Sequence, residues 1–172
     1  MPDTPHALPP PTGLPRLIDA LARLSVGIAA VALLGLVAVQ GWQVFARYVL
    51  NDSPSWTEPV TVLLLSIAMS LGAAAGVHGN RHFGFYLLHD HLHPQVRRAV
   101  DVLVPLVVAG IGAVLAGWGA VLLADGFAIH AAGAALPQSI NYLPLWLGGA
   151  LMVLFALERA VAALRRPAGE AG

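Results

Sequence analysis

The sequence predicts an all-α integral membrane protein: four transmembrane helices, with a short amphipathic interfacial helix between the second and third. Two observations carry this class. Of 172 residues, 58% are apolar and only 10% are charged, with a mean hydropathy of +0.75, whereas a soluble domain carries roughly 25% charged residues. The few charges are also segregated. Stretches 24–46, 59–80, 102–124 and 126–157 contain no Asp, Glu, Lys or Arg, and each exceeds the ~20 apolar residues that cross a hydrocarbon core as a helix. Runs of this kind in lipid must pair their own backbone groups, which a helix does within the segment.

Composition also excludes whole classes. Nine Arg balance nine acidic residues and there is no Lys, so the clustered basic surplus that nucleic acid requires is missing. Cys is absent, which removes disulfides, thiolate metal sites and Cys nucleophiles.

Residues 1–15 hold Pro2, Pro5, Pro9, Pro10, Pro11 and Pro15 and predict a disordered cytoplasmic tail. A single membrane domain is expected over 16–166, with spans at about 24–46, 57–78, 100–124 and 142–164, followed by a cytoplasmic tail over 167–172. The first apolar run is too long for a signal peptide, and no small-x-small cleavage site follows before Arg47. Helix one ends at Asn51-Asp52 with Pro54 beyond, residues that favour a turn. Ser55 and Glu58 have capping-box spacing at the start of helix two, and Pro59 is tolerated in a first turn. Arg47 and Glu58 each complement a helix dipole and lie on one membrane face, where they can pair. Ala68, Gly72 and Gly76 form a small-residue stripe on helix two; Ala109, Ala113 and Gly117 form one on helix three. Such stripes serve close packing inside the chain or against a partner. Pro105 is expected to bend helix three. Between Arg81 and Arg98, the apolar residues Phe85, Leu88, Leu92 and Val96 share a helical face, which predicts the interfacial helix. The first half of stretch 126–157 holds His130, Gly133, Pro137, Gln138, Ser139 and Asn141 and reads as a loop, with helix four starting between Pro137 and Pro144.

Arg16, Arg23, Arg81, Arg97, Arg98, Arg159, Arg165 and Arg166 fall on one membrane face, and Arg47 alone on the other. The positive-inside rule then puts both termini in the cytoplasm. Trp42, Tyr48, Trp56, Tyr142 and Trp146 lie near the Arg-poor face.

No catalytic, cofactor-binding or metal-binding set emerges. His78/His82 and His89/His93 have i,i+4 spacing, which suits a metal but equally suits polar residues at a headgroup boundary. A carrier usually keeps an ionisable group near the midplane; here the span interiors offer only Gln40, Gln43 and a few hydroxyls. The chain is equipped to dock on something larger.

Several short motifs then bear on family: Arg47-Tyr48-Val49-Leu50-Asn51, Ser55-Trp56-Thr57-Glu58, Gly72-Ala73-Ala74, Arg81-His82-Phe83-Gly84-Phe85 and Tyr142-Leu143-Pro144-Leu145. In order and spacing they resemble the small membrane subunit of tripartite ATP-independent periplasmic (TRAP) transporters, the DctQ type, from about Leu17 to Arg166. Pro59 stands where a second Glu is common, and Tyr86 where Asp is usual. The resemblance implies a small, non-catalytic permease subunit in a bacterial inner membrane, working in secondary active transport. Its partners would be a large membrane subunit, a periplasmic substrate-binding protein and the lipid bilayer. The chain would scaffold the large subunit and help dock the binding protein during sodium-coupled uptake of a carboxylate-type organic solute. Candidate contact or structural residues are Arg47, Tyr48, Trp56, Glu58, Gly72, Gly76, Arg81 and His82. The alternative is a membrane anchor subunit of a redox enzyme, with His78 or His130 near the cofactor. A self-sufficient small exporter is disfavoured by the lack of a membrane-embedded carboxylate.

Overall fold

A computed structural model describes residues 13–52, 54–79, 94–129 and 137–165. Among the described residues four long helices dominate: α1 (Leu14–Tyr48), α2 (Thr57–His78), α3 (Pro94–Asp125) and α4 (Leu143–Arg165), with 3-10 turns at Gly126–Ala128 and Gln138–Asn141 between the last two. All four are long and apolar enough to cross a membrane. The predicted interfacial helix lies outside the described residues, as do Arg81, His82 and His130.

α1 covers the expected span and continues ten residues ahead of it, through Arg23, Asp19 and Arg16. At 35 residues it is about 52 Å long, well beyond the ~30 Å of a hydrocarbon core. Gly13 caps its start at φ 86°, with Pro15 in the first turn, where a missing N–H costs no bond. At the other end Asn51 takes φ 51° and the Asp52 N–H returns to the Ala46 carbonyl, 3.1 Å away; Asn tolerates this left-handed conformation better than most residues.

α2 begins one residue later than a Ser55 cap requires. Trp56 holds the N-cap position, no side chain caps it there, and the Thr57 hydroxyl donates back to the Pro54 carbonyl at 2.8 Å. Pro59 falls within the first turn.

The helices are arranged in the order α1, α2, α4, α3, each packed chiefly on its neighbours in that row. α1 runs antiparallel to α2 along a seam of Ile18, Ala22, Ser25, Ala29 and Ala32, all buried. Their alternating spacing of four and three is the repeat that keeps one helix face on a partner crossing at a shallow angle. α2 and α4 run in the same direction: Ser66 meets Asn141, Ser70 meets Gly148, and Val77 meets Arg159. Ser66 is roughly nine residues into α2, about 13 Å along its axis, so α4 starts well below the first turn of α2.

Two adjacent glycines give α4 its central place. A Cβ on Gly148 would lie 2.6 Å from Ser70 Cβ, and one on Gly149 would lie 2.6 Å from the Ala116 backbone nitrogen. Neighbouring positions on a helix diverge by about 100°, so one glycine admits α2 and the next admits α3.

The small-residue seam of α3 differs from the predicted one. Ala109, Gly112 and Gly119 are buried against α4, with half-buried Ala116 on the same line, while Ala113 and Gly117 are exposed. The predicted stripe steps by four at every interval and drifts off the contact line; the actual seam alternates three and four. On α2, Ala68 is buried and Gly72 meets Ala29, but Gly76 has open space around it. The core lies toward the end that carries His78, where Ile18, Ala22, Ala74, Val77, Ala109 and Ala156 surround a fully buried Phe155.

Candidate functional site: a polar cavity between the first two helices

Gln40, Gln43, Val44, Arg47 and Tyr48 are spaced to share one face over the last turns of α1. Glu58, Thr61 and Val62 do the same over the first turns of α2. The short connection between the helices brings these faces together, and the eight residues line a cavity of about 460 Å³. Arg47 lies in the last turn of one helix and Glu58 in the first turn of the next, so each charge offsets a helix dipole. Thr61 Oγ1 is buried and finds no hydrogen-bond partner among the described residues.

Three of the residues singled out from sequence, Arg47, Tyr48 and Glu58, thus meet in one cavity, with Gln40 and Gln43 beside them. Trp56 is exposed and outside its lining. Gly72 is a packing residue against α1, and Gly76 is open. The lining offers one guanidinium, one carboxylate, two amides, a hydroxyl and a phenol. These can bind a polar group. They provide no hydroxyl or thiol with an imidazole base beside it, the arrangement nucleophilic chemistry needs.

A second polar contact lies at the other end. His78 Nε2 donates to Asp19 Oδ1 at 2.8 Å, and its ring packs on Phe155 with centroids 5.3 Å apart. Arg159 donates to the Val77 carbonyl at 2.7 Å, satisfying an acceptor in the last turn of α2. Among the described residues no group of three or more His, Asp or Glu side chains is placed to hold a metal. Sequence reasoning missed the Asp19–His78 contact because the partners are 59 positions apart. It also passed over Gly148-Gly149, whose adjacency within an apolar span was the available signal.

The profile of a family described as tripartite ATP-independent periplasmic transporters, DctQ component, matches residues 36–166. The chain belongs to the DctQ family. The match starts inside α1 and takes in every residue of the cavity, both glycine seams and all of α4. Among characterised relatives, this DctQ chain is 26% identical over 126 residues to the sialic acid TRAP transporter small permease protein SiaQ of Vibrio cholerae, covering 72% of each chain. As a DctQ component it is a multi-pass membrane subunit of a transporter.

Proposed function

We propose that this DctQ chain is the non-catalytic small permease subunit that scaffolds a large membrane subunit and helps a periplasmic binding protein dock. The system takes up a carboxylate-type organic solute with sodium. The observation that carries the scaffolding role is the absence of any Asp, Glu, Lys or Arg from the interior of the spans. A carrier usually keeps such a group near the midplane, which supports giving the coupled steps to another chain. The open row of helices supports the same reading, since it is one helix thick and offers broad apolar faces to a neighbour. A relative named for sialic acid, an organic acid, supports the solute class. The arginine asymmetry supports cytoplasmic termini in the bacterial inner membrane, with Arg47, Tyr48, Trp56 and Glu58 on the periplasmic side. Family membership does not favour the redox-anchor alternative.

The test is purification through a tag on this chain after expression with its genomic neighbours, paired with uptake in a deletion strain. Recovery of a large membrane protein and loss of uptake on deletion are expected. Recovery of this chain alone, with uptake unchanged, overturns the proposal.

A further inference from the structure

We propose that the groove between α1 and α2 is a binding site for a zwitterionic phospholipid of the phosphatidylethanolamine class, with the headgroup in the polar cavity. The volume of the cavity, about 460 Å³, falls in the range of small-molecule sites. Its chemistry changes along the helix axis in the way an amphiphile requires. Gln40, Gln43, Arg47, Glu58 and Thr61 line the cavity itself. One and two turns further in, the same helix faces present Val37 and Leu33 on α1, and Leu65 and Met69 on α2. All four are exposed apolar side chains. A polar socket thus opens onto an apolar track. Trp42, Tyr48 and Trp56 are exposed around the socket, as expected of aromatic residues at headgroup depth.

The charges select the headgroup. Arg47 already interacts within the chain, and a guanidinium has enough N–H donors to hold a phosphate as well. Glu58 accepts from the primary ammonium of the ethanolamine. A choline headgroup has no N–H to offer it, and a glycerol headgroup leaves an anionic lipid uncompensated beside the carboxylate. The amides of Gln40 and Gln43 reach the glycerol ester region. The inference needs only that the chain is in a membrane, and stands apart from its role in transport.

The test uses the full-length tagged chain, extracted in mild detergent and titrated with dioleoyl phosphatidylethanolamine, phosphatidylglycerol or phosphatidylcholine under native mass spectrometry. Preferential retention of phosphatidylethanolamine is expected. Arg47→Gln should weaken it about tenfold, the effect of losing one charge-assisted contact. Glu58→Gln should erase the preference over phosphatidylcholine, and Trp118→Ala, on a distant face of α3, should leave it intact. Because the chain lacks Cys, Val44→Cys, at an exposed lining position, provides a second readout that does not depend on those variants folding. Phosphatidylethanolamine should slow its maleimide labelling in liposomes more than phosphatidylglycerol does. Equal retention of the three lipids, or retention indifferent to both Arg47→Gln and Glu58→Gln, overturns the proposal. So does protection of Val44→Cys only when a large membrane partner is co-expressed, which assigns the cavity to a protein contact.

Discussion

His78, the last residue of α2, holds Asp19 in the second turn of α1 through a 2.8 Å contact from Nε2 to Oδ1. That bond fastens the extension of α1, which continues beyond the predicted span, to the core around Phe155.

The two partners should contribute unequally. Asp19 is about half exposed, and exposed pairs stabilise by only ~0–1 kcal/mol, so Asp19→Ala should shift thermal unfolding little. His78→Ala also removes the ring contact with Phe155 and should cost more, on the order of 2 kcal/mol. Unfolding midpoints of the two variants in detergent check the ranking; equal midpoints would contradict it.

Close helix approach should make the glycine doublet intolerant of even one methyl. Gly148→Ala meets Ser70, and Gly149→Ala meets backbone in α3, so each should destabilise by about 1–3 kcal/mol or more. Gly76→Ala enters open space and should be neutral or slightly stabilising through helix propensity. Thermal unfolding of the three single variants decides this.

The α3 seam can be tested by register. Ala116→Leu adds bulk where α3 touches Gly149 and should lower stability and yield. Ala113→Leu, on the exposed face, should be tolerated by the isolated chain. If Ala113→Leu were the worse of the two, the seam would be misplaced.

Topology has a clean assay because no native Cys competes. Ser55→Cys should react with an impermeant maleimide in intact spheroplasts, and Ala168→Cys only after lysis. The reverse pattern would invert the proposed orientation.

The spans were legible because lipid imposes length and apolarity on the segment itself, without reference to any neighbour. The placing of Arg47 and Glu58 at the same end of the first two helices, where both line the cavity, was legible for a related reason, since a short loop leaves adjacent helix ends nowhere else to go. Helix order was hidden: the alanines of α1 and the glycines of α3 announce close packing but do not name the helix they admit. The start of α1 was obscured by Arg16, Asp19 and Arg23, which end an apolar run without ending a helix. Asp19 and His78 looked like unrelated polar residues at a boundary until the fold set α1 against α2.

The row order α1, α2, α4, α3 departs from the order in which the chain is made, and this has a consequence for biogenesis. Synthesis from the N-terminus delivers α1 and α2 as a pair that can close at once along the Ile18–Ala32 seam. α3 then enters the bilayer with its main partner still unmade, its glycine face turned to lipid. Only the arrival of α4, the last span, gives α3 a neighbour and connects it to the first pair through Ser70 and Gly148. The final span is therefore the keystone of assembly, and a chain stopped before Leu143 would lack the helix that packs between α2 and α3.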